Sequence, residues 1–268
     1  MDKKINTATD GLYGRINGRL ALFRRAANRD FWDALSAGAT DSQLKRALRT
    51  TKNLGVHGNF FRRWLPHEGI ILEAGCGNGM WVSRLKENGY DCIGLDFAVG
   101  VLTRSHQYTR NLPLIGGDLT KLPFADETFS GCVSFGVIEH LRNGPQPVLR
   151  EAGRVLRKGG ILCISVPYEN YSRRRFQLST EDEAVSLGLE FYQYYFRLDD
   201  LNRELSEAGF WPLKAFHGYH VNLGFKDLPI ISTCLKKITG SKISLVLDFI
   251  PFLPFFMAHM MFTVALRA

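Results

Sequence analysis

The 268-residue sequence predicts an α/β fold built on a parallel sheet with helices on both faces. From Ile70 onwards, short apolar runs alternate with longer stretches of helical period. A glycine-rich turn, Gly75-Cys76-Gly77-Asn78-Gly79, follows the first of those runs and opens a helical pattern. A later helical stretch stops at Lys158-Gly159-Gly160, directly before another apolar run.

Taken in order, residues 1–65 read as an N-terminal helical extension, because Leu12, Ile16, Leu20 and Phe23 recur at three- to four-residue spacing. Ile70-Ile71-Leu72 is the first strand of the core, and a helix follows from Met80 to Glu87. Cys92 to Leu95, Leu114-Ile115, Cys132 to Phe135 and Ile161 to Val166 supply the next four strands, with a helix from Gln146 to Leu156 before the last of them. Leu198 to Ala208 reads as a helix closed by Gly209, and Phe210 to Phe216 as a strand. The core thus spans 66–217, an apolar and basic insertion occupies 218–258, and 259–268 returns as the final strand.

Composition narrows the function. A 45% apolar share supports a folded core, and a formal charge of +8 suits nucleic acid, an anionic membrane surface, a phosphorylated substrate or simply a solvated basic face. The five cysteines lack metal-ligand spacing, so no metal is expected. Met1 to Asp10 is polar and unlike a secretory signal, which predicts a reducing cytoplasmic setting.

The chemistry begins at Glu73-Ala74-Gly75-Cys76-Gly77-Asn78-Gly79. Glycines let backbone approach a ligand closely. A dinucleotide loop has the pattern G-x-G-x-x-G and aims a helix N-terminus at a pyrophosphate. Here Met80 stands in the third glycine's place, and Glu73 precedes the turn. A carboxylate there repels a pyrophosphate but attracts an ammonium or sulfonium by roughly 1 to 4 kcal/mol, which disfavours a nicotinamide oxidoreductase and favours S-adenosylmethionine. Asp96, about 20 residues on, is placed to accept from ribose hydroxyls, or to cap the helix ahead of Ala98. Asp118 either accepts from an adenine amino group or forms a turn.

The ordered set resembles the class I S-adenosylmethionine-dependent methyltransferases. The run Ile70 to Leu85 is similar to their first motif, Gly94-Leu95-Asp96 to their second strand ending, and Gly117-Asp118-Leu119 with Phe129 to Leu141 to the stretch through their fourth strand. The resemblance implies a Rossmann-like seven-stranded sheet whose last strand is antiparallel, a role for which Met260 to Arg267 is placed. It further implies that Glu73, Gly75 and Gly77 face the methionine end of the donor, that Asp96 holds the ribose, that Asp118 and Leu119 flank the adenine, and that Phe135 or Gly136 approaches the sulfonium.

Methyl transfer needs a general base only when the acceptor holds its proton. His140 is the candidate, with a loop-bracing role as the alternative. Tyr168 either shapes the acceptor pocket or packs, in an aromatic-rich loop from Pro167 to Phe196 that also carries Arg173 to Arg175. Residues 230–256 suit a cap that rests on a membrane or receives a lipid-like substrate, or else a lid packed on its own domain. Two prolines, His259 and the final strand argue against a membrane span through Phe249 to Leu266. The expected acceptor is a small molecule, a sugar or a lipid-linked intermediate, and no nucleic acid partner is expected. An RNA methyltransferase and a non-catalytic donor-binding subunit are the alternatives.

Overall fold

The computed structural model describes residues 11–25, 41–48, 54, 58–109, 112–171, 173–175, 178–218 and 259–268. The proposed membrane cap over 230–256, with most of the 218–258 insertion, and Cys234 lie outside them.

Two short strands come first, β1 (Leu12–Ile16) and β2 (Arg19–Arg24), where the sequence spacing predicts a helix. They form an antiparallel hairpin in register Leu12↔Phe23 to Ile16↔Arg19. The two-residue turn decides the outcome: Asn17 and Gly18 take φ of 50° and 82°, the left-handed pair that matches strand twist in a tight hairpin. β2 reads as a continuous apolar run because both of its faces are covered. Leu20 and Leu22 pack with Tyr195, while Ala21 and Phe23 enter the main core.

Helices α1 (Asp41–Leu48) and α2 (Gly58–Trp64) follow. The alternating core comprises β3 (Ile70–Ala74), α3 (Met80–Glu87), β4 (Asp91–Asp96), α4 (Val99–Tyr108), β5 (Leu114–Gly116), β6 (Phe129–Phe135), α5 (Gln146–Val155) and β7 (Leu156–Pro167). β7 starts five residues before the predicted Ile161 and continues through the glycine pair. α6 (Glu181–Ser186), β8 (Glu190–Tyr194), α7 (Leu198–Glu207), β9 (Phe210–Gly218) and β10 (Met260–Arg267) complete the order.

The main sheet has seven strands in the order β5-β4-β3-β6-β7-β10-β9. The first five are parallel, and β10 runs antiparallel to both β7 and β9. Pleat alternation feeds two cores, one on each face. Leu72, Cys132, Leu162 and Ala265 meet α5 and α7 on one side, through Val148, Leu149, Leu201 and Leu205. Ile71, Val133, Cys163 and Val264 meet α2, α3 and α4 on the other, through Phe61, Val82, Leu85 and Leu102. Cys76, Cys92, Cys132 and Cys163 are free and buried.

The aromatic stretch after Pro167 is more structured than a loop. Thr180 and Glu183 form a reciprocal capping box that starts α6. β8 then pairs antiparallel with β2, giving a small three-stranded sheet, β1-β2-β8. Tyr194, Tyr195 and Phe196 are buried there. Phe176 lies outside the described residues. Among the described residues, no helix is long and apolar enough to cross a membrane.

Candidate functional site

The glycine turn is clipped to the end of β4. Gly75 and Cys76 N–H groups both donate to the Leu95 carbonyl, at 2.8 and 3.0 Å, and Gly77 N–H donates to Asp96 Oδ2 at 2.7 Å. The other Asp96 oxygen accepts from Ala98 N–H at 2.9 Å. Asp96 therefore joins two loops, and each carboxylate oxygen keeps a further acceptor site.

A cavity of about 740 Å³ opens above this turn, within the usual size of a small-molecule site. It brings together Gly75, Gly77, Asp96, Asp118, Leu119 and His140, six of the residues singled out in the sequence. A Cβ built on Gly77 meets nothing within 4 Å, so the turn leaves an open floor that a side chain would fill. Asp118 Oδ1 accepts from Thr120 N–H and from its hydroxyl, both at 2.8 Å, so it shapes its turn while also lining the cavity.

Three other predicted site residues stand off the cavity wall. Glu73 lies beneath the turn, where Oε2 accepts from Val82 N–H at 2.8 Å inside α3. Burial raises its carboxyl well above the usual range, against the opposing pull of the Val82 bond. Phe135 shares pleat parity with Val133, which turns its ring into the core with Phe61, Trp81 and Phe262 at centroid distances of 5.8, 6.1 and 5.5 Å. The next residue, Gly136, reaches the cavity instead. Tyr168 is buried in the main core and bridges to Phe196.

His140 lies in a single 3-10 turn, Ile138–His140, and its Nδ1 sits 2.7 Å from the Tyr192 carbonyl. Only an N–H can bond a carbonyl, so Nδ1 carries the proton and Nε2 the lone pair. Burial pushes its pKa down to about 4, leaving the ring neutral at physiological pH. Sequence reasoning passed over its neighbour. Glu139 is 2% exposed, its Oε1 is 3.9 Å from His140 Nε2, and its Oε2 has no hydrogen-bond partner among the described residues. Burial pushes Glu139 up to about 8. The one available signal is a carboxylate inside the apolar run Phe135 to Leu141. Val99 and Val137 also line the cavity without any local signature.

These shifts give a signed pH dependence. Native Glu139 keeps its proton between its unfolded value of 4.5 and about 8. Stability from this group is complete below 4.5 and is lost as pH rises, by up to about 1.4 kcal/mol per unit. His140 acts oppositely between about 4 and 6.5, losing stability as pH falls. The two slopes offset each other up to 6.5, so a fall to which Glu139 contributes remains from 6.5 to 8, with Glu73, also raised by burial, acting in the same direction. Urea unfolding of Glu139→Gln across that window should give a shallower fall than the wild type. An unchanged slope would show that Glu139 is ionised in the native state.

The charges along the cavity discriminate among ligands. No Lys or Arg lines it among the described residues, whereas two carboxylates do. That set fits a cationic, ribose-bearing ligand and opposes a pyrophosphate. Residues 72–164 match the family described as a methyltransferase domain. The matched stretch runs from β3 into β7 and carries the glycine turn, Asp96 and Asp118.

This domain is similar to the demethylmenaquinone methyltransferases of Mycobacterium tuberculosis and Mycobacterium bovis, at 35% identity over 138 residues. The match covers 46% of this chain and 56% of either relative, so the chain spans about half the length of the relatives it matches. Two solved structures share the fold. A chain in the complex of the Haloferax volcanii Trm112 methyltransferase activator with its methyltransferase is 19% identical, with a TM-score of 0.60 and coverage of 90% of this chain and 99% of that one. The Haemonchus contortus phosphoethanolamine N-methyltransferase 2, solved with S-adenosylhomocysteine, is 16% identical, with a TM-score of 0.59 and coverage of 92% and 62%.

Proposed function

We propose that the chain is an S-adenosylmethionine-dependent methyltransferase acting on a small-molecule or lipid-like acceptor. The observation that carries this is the cavity above the glycine turn, bounded by Asp96 and Asp118 and lined by no Lys or Arg among the described residues. When bound, the donor supplies an activated methyl group on a sulfonium. Gly75 and Gly77 then admit its methionine end to the backbone. Asp96 receives the ribose hydroxyls on its remaining acceptor sites, Asp118 and Leu119 flank the base, and Gly136 approaches the reacting end. Glu73 acts from below, by holding α3 against the turn. The protein's part in the chemistry is alignment, which in well-oriented systems is worth roughly 7–11 kcal/mol. The names of the mycobacterial relatives support a small acceptor of quinone type.

Calorimetric titration with S-adenosylmethionine and with NAD tests the reading. S-adenosylmethionine should bind and NAD should not. Asp96→Ala should weaken donor binding by about 10- to 100-fold, the range for hydrogen bonds to a charged group. Tight NAD binding, or an Asp96→Ala variant that binds the donor normally, would sink it. Turnover with quinol acceptors then separates an enzyme from a donor-binding subunit.

A further inference from the structure

Gly136 and His140 both line the donor cavity, and the Glu139 carboxyl lies directly behind them. A Cβ built on Gly136 would sit 3.6 Å from Glu139 Oε1, and His140 Nε2 lies 3.9 Å from the same oxygen. Glycine has no Cβ, so no side chain of residue 136 separates the carboxyl from the cavity. No Lys or Arg pairs with Glu139 among the described residues, and its Oε2 is buried with no hydrogen-bond partner among them. A carboxylate in that position would be a buried charge without a cation, so the group keeps its proton instead. Burial accordingly holds it up at about 8, against the pull of its own backbone N–H.

The groups around it titrate elsewhere. The 3-10 turn packs against β8 and β7. From β8, the Tyr192 hydroxyl acts on Glu139 and is itself raised by burial, with Arg24 over its ring at 5.1 Å. β7 carries Cys163, also raised by burial, and places Arg157 and Lys158 at its opposite end. Within the turn, His140 is neutral above about 4.

We propose that Glu139 is the counter-charge to the sulfonium: it holds a proton until S-adenosylmethionine binds, releases it to solvent on binding, and keeps it when the uncharged thioether product binds. This rests on the methyltransferase reading and deepens it, by naming the residue through which the site tells donor from product. Gly136 is the residue that this reading sets against the reacting end. Donor and product share their amino acid, ribose and base, and differ in charge at sulfur. No bond in either ligand changes on binding, and the proton goes to solvent. After transfer the carboxylate faces a neutral sulfur and takes a proton back. An opposite charge a few Å away draws a carboxyl's titration down by roughly one to three pH units. Between that lowered value and about 8, donor binding expels a proton, so donor affinity rises with pH. Below the lowered value the carboxyl is protonated with or without donor, and the dependence ends.

Calorimetric titration of the full chain with S-adenosylmethionine and with S-adenosylhomocysteine, in buffers of different ionisation enthalpy, counts the protons released. At pH 7.5 S-adenosylmethionine should release about half a proton or more beyond S-adenosylhomocysteine. From pH 6 to 8 the ratio of their affinities should rise roughly 5- to 50-fold in favour of the donor. Glu139→Gln keeps the shape but cannot ionise. It should bind both ligands while erasing the difference in protons and the slope of the ratio. Glu73, also raised by burial, is set at the methionine end, which both ligands share, so it should contribute equally to both counts. Equal proton counts for the two ligands in the wild type, or a difference that survives in Glu139→Gln, would overturn the proposal. Should Glu139→Gln fail to fold, the wild-type comparison alone still decides. If neither ligand binds the wild type, the methyltransferase reading falls and this inference falls with it.

Discussion

Gly75→Ala is expected to abolish measurable donor binding and to cost about 2–5 kcal/mol of stability, the sum of left-handed backbone strain and overpacking. Gly75 has φ of 82°, and a Cβ there would lie 2.4 Å from Val137 Cγ2. Val137 leads directly into the 3-10 turn Ile138–His140 and lines the donor cavity. Relief of the clash must therefore move the wall opposite the glycine turn. Gly89 provides the control: its φ is 87°, yet nothing lies within 4 Å of a Cβ built on it. Gly89→Ala should show only the backbone cost, about 1 kcal/mol. Adding Val137→Ala to Gly75→Ala should restore part of the stability. Urea unfolding and donor calorimetry on the three variants decide the matter, and a Gly75→Ala protein that binds the donor normally would remove this turn from the site.

Arg173→Met should destabilise the fold by about 3 kcal/mol, because it strands buried acceptors that now take charge-assisted bonds. Arg173 is 1% exposed. Its Nη1 donates to the Tyr168 carbonyl at 2.6 Å and to the His259 carbonyl at 3.2 Å, and its Nη2 lies 2.5 Å from His259 Nδ1. The guanidinium also sits 4.6 Å from the centre of the Tyr195 ring. One side chain thus fastens the stretch after β7 to the entry of β10 and to the small sheet. Arg173→Lys keeps the charge but not the planar fork, and should recover less than half of the loss. Denaturant midpoints check both variants, and a loss below about 1 kcal/mol for Arg173→Met would mean that these contacts contribute little net stability.

Much of the architecture was legible because its determinants are local. Strands buried on both faces read as short apolar runs, and the glycine turn, Asp96 and Asp118 each sit at a strand end where spacing alone places them. What escaped was set by partners distant in sequence. Leu12, Ile16, Leu20 and Phe23 satisfy a helical period, but Asn17-Gly18 reverses the chain and β8 completes the sheet from more than 160 residues away. Phe135 ends β6 with its ring in the core, whereas Gly136, just past the strand at φ 70°, meets the cavity. The burial of Glu139 depends on how the small sheet meets the 3-10 turn, which no local pattern encodes.

The position of β10 has a consequence for synthesis on the ribosome. It lies between β7 and β9, although residues 219–259 separate β9 from it along the chain. β9 therefore emerges with no strand to join. At about 5–20 residues per second, it waits roughly 2.5–10 s for Met260 to Arg267 to be made. Throughout that interval the Ile161-to-Pro167 edge of β7 presents unpaired amides and carbonyls on an apolar strand, the feature that invites pairing with other chains. Misassembly during production should thus begin at this edge.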